Sequence, residues 1–277
     1  MNATAPGSDY QKPRLELLWS TDFDGPAGQS PDPSVFGHDI GDGVAAGIPG
    51  WGNSEREWYL EAAHTDGSGN LVISADRTDP ANDPVAAARE AYYGGPAEWT
   101  SAKLTTLDRL HFSYGRIEAR IKAPSGSGTW PAFWMLGTDI RTVPWPQCGE
   151  IDIFEGRGDR QHAVYGTLHG PGYSGETGRG LIFEAPVPND DDFHTYGIDW
   201  LPGEIKWYYD GHLFQTLSED DLAPNEWVFD HDFYLIVNLA MGGHFTGPIE
   251  PTLQHAEYKI DFIRHYSLDG VGESRPQ

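Results

Sequence analysis

Cysteine is nearly absent from this chain: Cys148 stands alone, so no internal disulfide can staple the fold and the redox compartment stays open. Cations are scarce as well. Lys and Arg number 18 against 42 for Asp and Glu, a formal net charge of −24. Nucleic acid and anionic membrane surfaces both require a basic footprint, so neither is expected as a partner. A sulfated or carboxylated polymer is disfavoured for the same reason, and a neutral ligand fits best. No run of 18 apolar residues occurs, which excludes a membrane-spanning helix. Met1 to Gln11 is polar and lacks an apolar signal core. The chain is therefore read as cytoplasmic or as having had its signal removed.

Helical periodicity is also missing, for no long window repeats its apolar residues every 3.6 positions. The best helix candidate runs from Asp83-Pro84 to Tyr93, with an N-cap, a Pro at the first position and a Gly94-Gly95 stop. Strand signals are far stronger. Over 114–122, Ile117, Ala119 and Ile121 alternate with Arg116, Glu118 and Arg120. Asp210-Gly211 between two aromatic-rich runs predicts a hairpin over 205–217. Further strands are expected at 16–23, 70–75, 132–136, 150–155, 164–169, 194–200, 234–240 and 257–266. Loops are expected at 123–131, 137–149, 170–192 and 241–251. The pattern is all-β, a single antiparallel sandwich over 15–268 with tails at 1–14 and 269–277.

One segment stands apart: Gly149-Glu150-Ile151-Asp152-Ile153-Phe154-Glu155-Gly156. Acids are depleted in strands, yet three are interleaved here with Ile and Phe. Strict alternation puts Glu150 and Asp152 on one face and Glu155 on the other. A β-bulge between Asp152 and Glu155 turns the last glutamate back to join the first two. Like charges so arranged raise the pKa of at least one of them. Glycoside hydrolysis needs that condition, with one acid protonated to donate and one ionised to attack. The plainer reading of such a segment is the solvated outer face of a sheet.

The neighbours decide between the two. They are Trp130-Pro131-Ala132-Phe133-Trp134-Met135-Leu136-Gly137, then Trp145-Pro146-Gln147-Cys148-Gly149 before the acids. Gly166-Thr167-Leu168-His169-Gly170 follows them. Gly50-Trp51-Gly52-Asn53 lies upstream, and Asn238-Leu239-Ala240-Met241-Gly242-Gly243 downstream. With these, the chain resembles glycoside hydrolase family 16, in its bacterial laminarinase branch, over roughly 15–268. The resemblance implies a β-jelly-roll of two curved antiparallel sheets with a concave substrate cleft. It implies endo-hydrolysis of β-1,3-glucan with retention, with Glu150 as nucleophile, Glu155 as acid/base and Asp152 assisting.

The same resemblance implies sugar contacts from Asn53, Trp130, Trp134, Trp145, His169 and Asn238. It implies no cofactor for catalysis, and a structural calcium held by Asp22, the Gly69 backbone and Asp261. A neutral β-glucan as partner implies secretion, and a monomer is expected. Three places depart from the family pattern. Lys103 stands where an Arg is usual and cannot make the two-pronged guanidinium contact. His244-Phe245-Thr246-Gly247 replaces Asn-Trp-Pro-Gly, and the loop Gly156-Arg157-Gly158-Asp159-Arg160 is unusual. A non-catalytic glucan-recognition protein and a hydrolase of mixed-linkage glucan or agar remain the alternatives.

Overall fold

The structure, a computed structural model, describes residues 13–277, so positions 1–12 of the expected N-terminal tail lie outside the described residues. Two sheets face each other, of ten and nine strands. The ten-stranded sheet is built around His255–Leu268, which pairs with Gly115–Lys122, Leu71–Arg77 and Leu15–Thr21. It continues through His194–Leu201 into the hairpin Glu204–Tyr209 and His212–Ser218. Seven strands of the nine-stranded sheet run in the order Arg179–Glu184, Ala163–His169, Glu150–Glu155, Thr129–Gly137, Phe233–Met241, Lys103–Thr105, Gly37–Asp39, and Leu110–Ser113 and Glu273–Pro276 branch off Phe233–Met241. All these pairings are antiparallel.

Alternation dictates the core. Ile117, Ala119 and Ile121 turn inward while Arg116, Glu118 and Arg120 turn out. Phe133, Met135, Ile151, Ile153, Phe154, Val237 and Leu239 come from the other sheet to meet them. Strand Phe233–Met241 is buried along its whole length, as a central strand must be. The hairpin turn is as expected, with Asp210 and Gly211 both at positive φ, 47° and 75°.

Several elements differ from the sequence expectation. The helix over 83–93 shrinks to one turn, Pro84–Ala87: Asp83 caps it by accepting from the Val85 N–H, but no apolar stripe follows to extend it. The expected loop 170–192 contains the edge strand Arg179–Glu184, whose side chains are mostly exposed. Residues 129–131, expected in a loop, begin the strand Thr129–Gly137. The C-terminal segment is no tail, because Glu273–Pro276 pairs with Leu110–Ser113.

Candidate active site

The acid strand Glu150–Glu155 lies between Thr129–Gly137 and Ala163–His169. On one side Leu136 opposes Glu150, Trp134 opposes Asp152 and Ala132 opposes Glu155. On the other side the partners are His169, Thr167 and Tyr165. Each neighbour advances by two residues at every step, so each set of partners shares one face. The acid strand advances by two and then by three. Its register slips between Asp152 and Glu155, which is the inserted residue of a β-bulge. All three acids therefore share a face, while Ile151, Ile153 and Phe154 enter the core.

The slip is braced from the opposite sheet. Trp207 Nε1 donates to the Asp152 carbonyl at 2.8 Å, giving a donor to the backbone where the ladder is disturbed. Gly166 makes room for that indole: a Cβ there would sit 2.6 Å from Trp207 Cδ1.

The acids are held by indoles. Trp130 Nε1 donates to Glu155 Oε1 at 2.9 Å and Trp145 Nε1 to Glu150 Oε2 at 2.7 Å. His169 Nε2 lies 3.2 Å from Asp152 Oδ2 and 3.8 Å from Glu150 Oε1. Burial, then the charges of Glu150 and Glu155, push the Asp152 carboxyl well above the usual range. Burial raises Glu155 to about 7; Glu150's charge adds to this, while His169 and the Trp130 N–H oppose it. Burial alone would lower His169, but the Asp152 contact and the charges of Glu150, Asp152 and Glu155 outweigh it and hold the ring at about 9. At neutral pH the imidazole is thus protonated.

Across the central strands, the row through Glu155 and Ala132 continues to Asn238, Lys103 and Asp39. Asn238 Oδ1 accepts from Trp134 Nε1 at 2.7 Å. Asn238 Nδ2 donates to the Tyr59 hydroxyl, which donates to Glu55, which also accepts from Asn53 Nδ2. Asn53 thus joins the site through this chain. Lys103, noted as a departure from the family pattern, places its ammonium 4.2 Å from the Trp51 ring centroid and 5.3 Å from that of Trp134, with Asp39 at 3.5 Å. It serves as a point charge between two indoles.

The other two departures meet each other. Arg157 stands 5.5 Å from the Phe245 ring, and Phe245 packs on Trp130 and Tyr165, both at 4.9 Å. Trp51, Tyr59 and Glu55 were not named as site residues from sequence. The left-handed run Gly50, Trp51 and Gly52, at φ of 58°, 50° and 82°, is the signal beside them, since a tryptophan rarely adopts it without tertiary cause.

Two groups of residues could hold a metal. Ligand atoms of Glu150, Asp152 and His169 lie within 4.8 Å of one another. With His169 protonated the ring has no lone pair to give, and its proton meets the charge of the neighbouring acids. Asp22, Gly69 and Asp261 lie on the other sheet, away from the acids. Register gathers them at one corner, where Thr21 opposes Ile263 and Leu71 opposes Ile260. Their oxygens suit calcium, but Arg264 already occupies Asp22 Oδ1 at 3.0 Å and Arg120 occupies Asp261 Oδ2 at 2.6 Å.

Comparison with known proteins matches this geometry. The profile of glycosyl hydrolases family 16 fits residues 53–264. The beta-glucanase of Rhodothermus marinus is 37% identical, over 94% of this chain and 88% of its own. The laminarinase catalytic domain of Thermotoga maritima superposes with a TM-score of 0.83 at 43% identity, covering 91% of this chain and 98% of that one. The endo-beta-1,3-glucanase of Pyrococcus furiosus gives 0.83 at 40% identity, over 92% and 95%. With two facing antiparallel sheets, a bulged acid strand and relatives of this similarity along nearly its full length, the chain belongs to glycosyl hydrolases family 16.

Proposed function

We propose that the protein is an endo-β-1,3-glucanase that cleaves laminarin-type glucan with retention of anomeric configuration. The observation that carries this reading is the slip in the acid strand: it sets three carboxyls on one face, one of them raised to about 7. Glu155 is then protonated below that pH and donates to the glycosidic oxygen as the bond breaks. Glu150 attacks the anomeric carbon, because its two oxygens meet an indole N–H and an imidazolium, the partners an anion wants. A covalent glycosyl ester forms and the leaving chain departs with the Glu155 proton. Glu155, now a carboxylate, takes a proton from water as that water attacks the ester, and Glu150 is released. Asp152 and His169 share the charge beside Glu150 through the transfer. No cofactor takes part.

Trp130, Trp134 and Trp145 offer half-buried or exposed rings for sugar faces, and Asn53 and Asn238 offer amides for hydroxyls. A polymeric substrate is met outside the cell, so the enzyme acts as a secreted protein. Calcium at Asp22, Gly69 and Asp261 would tie the end of Leu15–Thr21 to its neighbours in the same sheet, Leu71–Arg77 and His255–Leu268, away from the chemistry; a chelator should lower the melting temperature by a few degrees and leave KM unchanged.

The test of function is new reducing ends from laminarin, barley mixed-linkage glucan and agarose, with Glu150→Gln beside the native protein. Cleavage of laminarin first, abolished in the variant, is the expected result. Binding without cleavage by the native protein would make it a recognition protein instead.

A further inference from the structure

Beneath the amide row lies a second pair of acids that the cleavage chemistry does not use. Glu55 and Glu57 are both buried, Glu57 opening the strand Glu57–Tyr59. Their carboxyl groups are in hydrogen-bond contact with each other. The donors around them are unequally shared. Glu55 Oε1 accepts from Asn53 Nδ2 and its Oε2 from the Tyr59 hydroxyl, both at 3.2 Å. Glu57 Oε2 accepts from the Met241 N–H at 2.7 Å. Glu57 Oε1 is buried and meets no N–H or O–H donor. The nearby cation, Lys103, acts on Glu55 and is itself in contact with Asp39.

Two touching carboxylates cannot both stay ionised away from water, so the pair holds one proton. Glu55 already uses both oxygens as acceptors. The proton therefore belongs on Glu57, whose free oxygen lacks any other partner. We propose that Glu57 is a neutral carboxylic acid donating to Glu55, and that Glu55, so held, is the positioning residue for the two sugar-binding asparagines. The direction of every bond follows from that one acceptor. Tyr59 spends its hydroxyl proton on Glu55 and so accepts from Asn238 Nδ2 at 3.0 Å. Asn238 Oδ1 is then turned to Trp134 Nε1. Burial, followed by the charge of Glu55, raises the Glu57 carboxyl well above its usual range, in agreement with this assignment.

The inference rests on the glucanase reading for its substrate, and its test keeps the two apart. KM, kcat and melting temperature are measured on laminarin for the native protein, Glu55→Gln, Tyr59→Phe, Glu57→Gln and Glu57→Leu. Glu55→Gln turns an N–H₂ toward Asn53 or Tyr59, so KM should rise about tenfold with kcat within about threefold. Tyr59→Phe keeps the ring and loses the relay, so it carries the same expectation if Glu55→Gln fails to fold. Glu57→Gln replaces the O–H donor with an N–H donor and should rescue what Glu57→Leu loses.

Equal damage from Glu57→Gln and Glu57→Leu would mean an ionised Glu57 and overturn the proposal, as would an unchanged KM in both Glu55→Gln and Tyr59→Phe. If the native protein leaves laminarin uncut, the glucanase reading fails. The proton is then read by infrared difference spectroscopy. A carboxylic acid band lost in Glu57→Gln supports the assignment, and its absence from the native protein overturns it.

Discussion

The arginine-paired acids of the ten-stranded sheet and the acids of Glu150–Glu155 on the nine-stranded sheet meet different partners. On the former, Asp199 is buried against Arg116 with two guanidinium bonds of 2.6 and 2.8 Å, while Asp22 takes Arg264 and Asp261 takes Arg120. On the latter, Glu150, Asp152 and Glu155 share a single histidine, and the other donors at their carboxyls are neutral indoles. A carboxylate facing a guanidinium is fixed as an anion and stabilises the fold. Three carboxyls facing one imidazolium cannot all be anions, so a proton stays in the cluster at neutral pH. The difference between a structural acid and a reactive one lies here in the supply of cations. In a chain with 18 Lys and Arg, that supply is short.

Removing an acid from one set and the partner of an acid from the other should give opposite results. Glu150→Gln is expected to bring laminarin cleavage to background while melting close to the native protein, checked by reducing-end assay and calorimetry. Arg116→Met leaves buried Asp199 without its partner and should cost about 3 kcal/mol of stability, with kcat/KM unchanged. If Arg116→Met lowered activity without lowering stability, the division between these two sets of acids would fail.

A third contrast is in pH. His265, buried in the ten-stranded sheet, donates from Nε2 to the Tyr114 carbonyl at 2.7 Å and sits 2.7 Å from Ser274 Oγ through Nδ1. Burial lowers it to about 4, the Tyr114 bond opposing, against 6.5 in the unfolded chain. Between those values the unfolded state binds the extra proton, so its stability is present above pH 6.5 and lost as pH falls toward 4. The full loss is about 3 kcal/mol, measurable by urea denaturation and flattened in His265→Asn. Glu155 works in the other sense. In the proposed mechanism its proton goes to the leaving oxygen, so kcat/KM should fall as pH rises through about 7. Trp130→Phe removes a bond that favours the anion, and the alkaline limb of the pH profile should move up by about one unit. A downward move would mean that the indole serves the protonated form.

Much of this was legible in the chain. The alternation of Ile117, Ala119 and Ile121, the Asp210-Gly211 turn and the crowding of Glu150, Asp152 and Glu155 each state their structure locally. The bulge could be inferred because a three-residue step between acids makes chemical sense only if one residue is absorbed. What stayed hidden depends on partners distant in sequence. Lys103–Thr105 and Glu57–Tyr59 are three-residue strands carrying buried Lys and Glu, and no hydrophobic period marks them. Glu273–Pro276 is polar and exposed, a strand only because Leu110–Ser113 offers an edge. The indole bonds to Glu150 and Glu155 were equally out of reach, for the motif names the tryptophans but not where their N–H groups point.

The roles of the two glutamates can be separated by azide rescue. Glu150→Ala and Glu155→Ala are each incubated with an aryl β-laminaribioside bearing a good leaving group, in the presence of azide. If Glu155 is the acid/base, its variant still forms the ester on Glu150, and azide displaces it to give the β-glycosyl azide. If Glu150 is the nucleophile, azide takes its place in the other variant and gives the α-azide. Those two anomers, read by proton NMR, are the expected outcome. The reverse assignment, or α-azide from both variants, would contradict it.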